Sequence, residues 1–197
     1  SSPGFLVNRV LMAYLGEAMK IYQEGVPPAL IDELAEQIGM PMGPIELSDT
    51  VGLDICQAVA EEMISAFGGE SSDVVSKHIE EGNLGRKSGQ GFYKWSKGKA
   101  VKPKVSSAGH NRKEISDRML YMMLNESVQC LAEGVVLNAD SLDMGMIFGT
   151  GFPPFLGGPM QYIRSQGIEA TSDRIAGLES DVGERFAAKP GWNELKL

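Results

Sequence analysis

Two stretches of this chain share one helical pattern. At an offset of 109 positions, the segment that begins at Asn8 aligns with the segment that begins at Asp117. The identical pairs are Arg9/Arg118, Leu11/Leu120, Leu15/Leu124, Glu17/Glu126, Glu24/Glu133, Gly25/Gly134 and Val26/Val135. Such a repeat indicates a duplicated unit whose copies use the same packing residues. Because the opening polar residue differs between the copies, we expect one copy to carry chemistry and the other to support it.

Helical periodicity accounts for nearly all of the apolar residues. Gly25 ends the first predicted helix, and Pro28 and Gly39 mark the two ends of the second. Alternation with the period of a strand is absent over any useful length, so the predicted fold class is all-α, with two tandem related units. The predicted helices cover 8–22, 28–38, 45–51, 53–67, 72–81, 115–136, 142–148, 160–166 and 172–186. We predict a first unit at 3–95, a linker at 96–112 and a second, structural unit at 113–190.

A glycine-rich segment separates the two helical stretches. Asn83–Trp95 contains Gly85, Gly89 and Gly91, which disfavour a helix, and its aromatic residues suggest a short extended segment that docks on the helices. The following Ser96–Arg112 is rich in Lys, Ser, Pro and Gly, and we interpret it as a solvated linker. Its lysines are Lys97, Lys99, Lys102 and Lys104.

Composition excludes several classes of function. The net charge of -8 disfavours nucleic-acid binding, which needs a basic surface. The sequence has no apolar run long enough to span a membrane and no signal peptide. Cys56 and Cys130 stand at helix-like apolar positions without C-x-x-C spacing, so we expect free buried thiols in a reducing compartment. The Ser1-Ser2-Pro3 start, without Met, is typical of a fragment of something longer.

Common catalytic motifs are missing. Gly149-Thr150-Gly151 would need a third glycine where Pro154 stands, and no strand precedes it, so there is no dinucleotide fingerprint. His78 and His110 lie among polar residues at spacings unsuited to a metal, and we predict that both are exposed and that the chain binds no metal.

Three ordered segments resemble one enzyme family. They are P-G-F-L-V-N-R (3–9), P-M-G-P-I-E-L-S-D with V-G-L-D (41–54), and G-R-K-S-G-Q-G-F-Y-K (85–94). By itself, Asn8 is more simply interpreted as a helix cap. Together, the segments are similar to the C-terminal helical domain of the 3-hydroxyacyl-CoA dehydrogenases. The second unit, with F-G-T-G-F-P-P-F-L-G-G-P (148–159), resembles the duplicated half of multifunctional fatty-acid oxidation α-subunits.

The resemblance implies a specific chemistry. That family oxidises the 3-hydroxyl of an acyl-CoA and passes hydride to NAD, using a His base oriented by a Glu on a preceding Rossmann domain. Asn8 matches the family's active-site Asn and would donate to the substrate's 3-oxygen, a role that Asp117 could not fill. Lys87 matches a lysine that reaches the NAD. Phe148 stands where related α-subunits often have a substrate-contacting Tyr.

The resemblance also implies partners and a location. The expected partners are the 3-hydroxyacyl-CoA or 3-ketoacyl-CoA substrate, the chain's own Rossmann domain and a thiolase β-subunit. The expected location is the bacterial cytoplasm rather than a mitochondrion. Because the base and the main NAD platform are outside this sequence, the isolated chain is expected to be inactive.

Two alternatives stay open at this stage. A stand-alone α-helical interaction module would leave Asn8 and Lys87 without roles. The helical domain of another β-hydroxyacid dehydrogenase would usually carry a catalytic lysine in its long domain-joining helix, where this chain offers only Lys20, far from the start of the helix.

Overall fold

Helices make up most of the structure, which confirms the predicted all-α class. The computed structural model describes residues 5–68, 72–106 and 108–197. The helices are α1 Phe5–Gln23, α2 Pro28–Ile38, α3 Pro44–Val51, α4 Leu53–Phe67, α5 Asp73–Glu80, α6 Arg112–Ala132, α7 Ala139–Thr150, α8 Pro159–Gln166 and α9 Ile168–Val182. Short 3₁₀ turns lie at Arg86–Ser88, Pro154–Leu156, Glu184–Phe186 and Pro190–Asn193. In the parts of the chain that the structure describes, no helix is long and apolar enough to cross a bilayer.

The chain forms two compact units. We call Tyr14–Ser116 the middle unit, and the chain up to Ala13 together with Asp117–Leu197 the terminal unit. The boundaries fall inside α1 and α6, so the first turns of α1 pack with the second copy of the repeat. The duplication along the chain and the compact units are therefore different divisions of the same sequence.

Proline and glycine residues set the helix boundaries of the middle unit. Pro28 and Pro44 stand in the first turns of α2 and α3, where a missing N–H costs nothing. Gly39 ends α2 in the left-handed conformation, with φ of +111°. The fully buried apolar residues of this core include Ile21, Leu30, Ile31, Leu34, Ile45 and Leu53.

A small hairpin is the main departure from the predicted fold. β1 (Lys94–Ser96) pairs antiparallel with β2 (Lys99–Val101), and Trp95 lies opposite Ala100. β1 lies mostly in the segment predicted to be extended and docked on the helices, whereas β2 lies in the segment predicted to be a solvated linker. Strands of three residues are too short to show an alternating pattern, so the extended segment was predicted but its pairing with β2 was not.

The terminal unit is built on α6 to α9. Ala13 of α1 packs on the cluster of Met122, Leu178 and Phe186. The buried side chain of Asn125 fixes the C-terminal segment: its oxygen accepts from Trp192 Nε1 at 2.9 Å and Lys189 N at 3.1 Å, and its nitrogen donates to the Ala187 oxygen at 3.0 Å. α6 ends four residues before the predicted Val136, and α9 starts earlier than predicted, at Ile168.

Both cysteines are free and buried, as predicted. Burial raises the pKa of the Cys56 thiol to about 11 and that of Cys130 to about 12. Both groups therefore remain protonated and unreactive at neutral pH.

Candidate functional site

The first turns of α1 display one polar side chain and bury the next. Asn8 is exposed, and because α1 already begins at Phe5, Asn8 is not the cap of this helix. Arg9 is only 5% exposed. Of these two adjacent polar residues, Arg9 therefore faces the protein and Asn8 faces solvent.

Two carboxylates hold Arg9. One belongs to Glu126 of α6, and the other to Glu133, which follows the last residue of α6. Arg9 donates through Nε to Glu126 Oε1 at 2.5 Å, and its two terminal nitrogens donate to Glu133, one of them at 3.1 Å. Lys189 also donates to Glu126, so this buried carboxylate has two cationic partners. The hydrogen bond from Arg9 holds the pKa of Glu133 below its usual value. A guanidinium held by two carboxylates has little rotational freedom, which fixes the neighbouring backbone.

Helix α7 approaches the same turn without any intervening side chain. A Cβ atom added to Gly149 would lie 2.5 Å from Val7 Cγ2, and one added to Gly145 would lie 2.9 Å from Leu6 Cδ2. Phe148 precedes Gly149 and is 86% exposed. Asn8 and Phe148 are therefore each the chain neighbour of a residue in the Val7–Gly149 contact of the terminal unit.

The segment carrying Lys87 belongs to the middle unit. Lys87 lies in the 3₁₀ turn Arg86–Ser88, and its Nζ donates to both Asp54 carboxylate oxygens, at 2.5 and 2.6 Å. This hydrogen bond lowers the pKa of the exposed Asp54. Both side chains are nearly half exposed, so Lys87 remains accessible to a ligand.

The glycines beside Lys87 face protein atoms. A Cβ at Gly85 would lie 2.2 Å from the Asp49 backbone oxygen, and a Cβ at Gly91 would lie 2.2 Å from Asp49 Oδ1. The Asp49 carboxylate accepts from Phe92 N and Tyr93 N, both at 2.9 Å, and from Trp95 Nε1 at 3.0 Å. Gly85 and Gly91 therefore make room for Asp49.

In the second copy, the position that matches Asn8 has a different environment. The Asp117 carboxylate accepts from Arg174 Nε and also pairs with its terminal nitrogen, both at 2.8 Å. Its side chain is only 14% exposed. Asp117 is therefore a partner in an ion pair.

The prediction that His78 is exposed is wrong. Its ring packs on Phe92, with centroids 4.4 Å apart, and Phe92 in turn meets Tyr22 edge-on at 5.2 Å. His78 Nδ1 is buried and makes no hydrogen bond in the structure. His110 is partly exposed. Within 5–68, 72–106 and 108–197, no group of three His, Cys, Asp or Glu side chains is placed to hold a metal ion.

Sequence reasoning missed an acidic cluster in the middle unit, centred on the buried Asp32. Asp32 accepts from Tyr93 Oη at 2.8 Å, and Lys102 Nζ lies 2.8 Å from Glu36, 2.6 Å from Glu46 and 3.6 Å from Asp32. Burial raises the pKa of Asp32 to about 6, against the opposing effect of these partners. The prediction that Lys102 lies in a solvated linker is therefore wrong, because three carboxylates draw it onto the helices.

Comparisons with known proteins agree on one family. Residues 4–95 match the family model described as 3-hydroxyacyl-CoA dehydrogenase, C-terminal domain. The fatty acid oxidation complex subunit alpha of Idiomarina loihiensis is 37% identical over 210 residues, which span 96% of this chain and 30% of that protein. The same subunit of Vibrio cholerae serotype O1 is 40% identical over 199 residues, which span 95% of this chain and 28% of that protein. The chain thus spans about a third or less of these curated relatives.

Solved structures share the fold at lower sequence identity. The 3-hydroxybutyryl-CoA dehydrogenase from Escherichia coli K12 superposes with a TM-score of 0.81 at 24% identity, covering 98% of this chain and 60% of that one. The dehydrogenase part of multifunctional enzyme 1 from C. elegans gives 0.72 at 24% identity, covering 100% of this chain and 48% of that one. These two likenesses show the fold alone.

Proposed function

Residues 4–95 of this chain belong to the 3-hydroxyacyl-CoA dehydrogenase C-terminal domain family, and from that premise we propose the chain's function. The chain is the helical, substrate-facing part of an NAD-dependent (S)-3-hydroxyacyl-CoA dehydrogenase of fatty-acid β-oxidation. The curated relatives are α-subunits of a fatty acid oxidation complex, which supports this assignment. The chain supplies one wall of the acyl-CoA and NAD cleft.

The observation that carries the proposal is the exposed amide of Asn8 beside the buried Arg9. An amide N–H donates a hydrogen bond without taking up a proton, so it can polarise an oxygen without competing with a base. Asn8 donates to the substrate's 3-oxygen, orients it and stabilises the negative charge that develops there. The Arg9–Glu126–Glu133 network keeps the amide in place, since a preorganised donor needs no reorientation during the reaction.

The cofactor contact of this chain is Lys87. NAD supplies the hydride acceptor, and its main platform lies on a Rossmann domain outside this chain. Lys87 fits a phosphate or ribose contact because its ammonium is nearly half exposed and its pairing with Asp54 is solvent-screened and easily exchanged. Phe148 offers an exposed aromatic wall to the acyl group, one residue from the contact beside Asn8.

The proton-accepting group comes from outside this chain. The His78 ring is packed on Phe92, and no role for His110 follows from its surroundings. The His–Glu pair of the Rossmann domain takes the hydroxyl proton, so the chain alone is inactive. The proposed context is a cytoplasmic α-subunit whose other partner is a thiolase β-subunit.

Reconstitution tests the assignment. The chain is joined to the dinucleotide-binding domain of a fatty acid oxidation α-subunit, and NADH oxidation that depends on acetoacetyl-CoA is measured. We expect turnover with the joined polypeptide and none with either part alone. If the joined polypeptide binds NADH but leaves acetoacetyl-CoA unreduced, the assignment is wrong.

A further inference from the structure

Two glycines of the second copy contact the helical turn that carries Asn8. Gly145 and Gly149 are one helical turn apart on α7 and face Leu6 and Val7 respectively. Both have helical backbones rather than positive φ, so conformational freedom does not explain the choice of glycine. Glycine is also a poor helix former. The close approach of α1 is the remaining reason for both residues.

The contact at Gly149 has little slack. A methyl group at this position would lie 2.5 and 3.2 Å from the two Val7 γ carbons and 3.4 Å from Val7 Cβ. Val7 cannot avoid it easily, because a β-branched side chain in a helix has one strongly preferred rotamer. The backbone of α1 would have to move, and Asn8 is the next residue. At Gly145 the neighbouring atom is the end of a Leu side chain, which yields more readily.

The first turn of α1 is also held by Glu126 of α6 and by Glu133, which follows the end of that helix. Arg9 is bound to Glu126 and Glu133 and cannot follow a displaced backbone without breaking these hydrogen bonds, of which the one to Glu126 is buried. A displacement of Val7 would therefore change the orientation of Asn8, because Asn8 lies between Val7 and the fixed Arg9.

We infer that Gly149 positions Asn8 for the substrate's 3-oxygen, by letting α7 lie directly against Val7. The inference rests on the proposed function and deepens it. It gives the second copy a role in the reaction, even though that copy carries Asp117 where the first has Asn8. Gly149 touches no substrate and acts only through Val7.

Kinetics of the joined polypeptide test this role. We expect Gly149→Ala to lower kcat for acetoacetyl-CoA by about tenfold, because small displacements of a positioned group cost that much or more. The KM for NADH should not change. Gly145→Ala should have a smaller effect, and Val7→Ala/Gly149→Ala should restore kcat to within about twofold, because it removes the clash. Gly177→Ala on α9 is the matched control, since the nearest atom to its added Cβ is 3.7 Å away.

The decisive comparison uses the Asn8→Ala background. If Gly149 acts through Asn8, Gly149→Ala should cause no further loss there, whereas general damage to the fold should lower kcat by the same factor in both backgrounds. Wild-type kcat in Gly149→Ala, or an equal loss in both backgrounds, would overturn the inference alone. Turnover that does not depend on Asn8 would overturn the proposed function as well.

Discussion

Asp32 and Asp143 make the same pair of hydrogen bonds in the two copies of the repeat. Asp32 accepts from Ile45 N and Glu46 N, at 2.8 and 3.1 Å, at the start of α3. Asp143 accepts from Met160 N and Gln161 N, at 2.7 and 3.0 Å, at the start of α8. Each carboxylate thus satisfies two of the free N–H groups of a helix that begins with a proline.

The glycine before each proline completes the equivalence. A Cβ at Gly43 would lie 2.3 Å from atoms of Asp32, and a Cβ at Gly158 would lie 2.4 Å from Asp143. Both copies therefore use Gly-Pro and an aspartate of the preceding helix as one structural device. Burial raises the pKa of both carboxyls, and Asp32 reaches about 6.

The first prediction concerns Lys102 and pH. The pKa of Asp32 in the folded protein, about 6, is above the ordinary value near 4. Asp32 therefore stabilises the folded state at pH values below about 4, and this contribution to the free energy of unfolding is lost as the pH rises through about 6. Removing Lys102 raises the Asp32 pKa further and makes its ionisation more costly. Lys102→Met should lower the free energy of unfolding by about 1–2 kcal/mol at pH 8 and by less at pH 5.

Urea unfolding at the two pH values measures this difference. Lys104→Met is the control, because Lys104 is an exposed lysine of the same segment. An equal loss of stability at pH 5 and pH 8 would show that Lys102 does not act through Asp32.

The second prediction separates two glycines of the loop that carries Lys87. At Gly91 an added Cβ collides with Asp49 Oδ1 at 2.2 Å, whereas at Gly89, with φ of +80°, it meets nothing within 4 Å. We expect Gly91→Ala to cost about 3 kcal/mol of stability through overpacking. Gly89→Ala should cost only about 1 kcal/mol, for a non-glycine residue in the left-handed region. Similar costs in urea unfolding would contradict the close packing on Asp49.

The third prediction assigns Lys87 to the cofactor. In the joined polypeptide, Lys87→Met should raise the KM for NADH by about tenfold, the value of one charge-assisted hydrogen bond to a phosphate. The KM for acetoacetyl-CoA should change little. Lys94→Met, at an exposed lysine of β1, provides the comparison. An unchanged KM for NADH would show that Lys87 pairs with Asp54 but does not contact the cofactor.

The fourth prediction concerns Phe148 and chain length. Phe148→Ser should lower kcat/KM for a 16-carbon 3-ketoacyl-CoA by about fivefold relative to the 4-carbon substrate, because it removes apolar area that only the longer chain can cover. Leu137→Ser, at a residue that is 95% exposed and precedes α7, should leave this ratio unchanged. A fall of the same size for both chain lengths would rule out a contact between Phe148 and the acyl chain.

The sequence predicted the local structure well because helices are encoded by neighbouring residues. The bounds of α4, Leu53–Phe67, were predicted to the residue, since Gly52 and Gly68 mark its two ends. Pairs of residues that are distant in the sequence were harder to predict. Nothing near Asp49 in the sequence indicates three donors more than 40 residues away. The polar residues around Lys102 likewise indicate a solvated segment and do not reveal that Lys102 pairs with carboxylates of α2 and α3.

The site residues show the same limit. Asn8 and Phe148 were identified by resemblance, and only the structure shows that their chain neighbours Val7 and Gly149 are in contact. The exposure of Asn8 likewise could not be predicted from periodicity alone, because either of two adjacent polar residues, Asn8 and Arg9, could have faced solvent. The carboxylates of the buried Glu126 and the exposed Glu133, which are remote in sequence, determine that Arg9 is the buried one.

The most direct test of the central claim is the kcat of Asn8 variants in the joined polypeptide, measured as reduction of acetoacetyl-CoA by NADH. Asn8→Ala should lower kcat by about 100-fold, the usual cost of removing one donor to a developing oxyanion. Asn8→Asp should lower it further through repulsion, while Asn193→Ala, at an exposed asparagine of the terminal unit, should leave it unchanged. A wild-type kcat in Asn8→Ala would contradict the account.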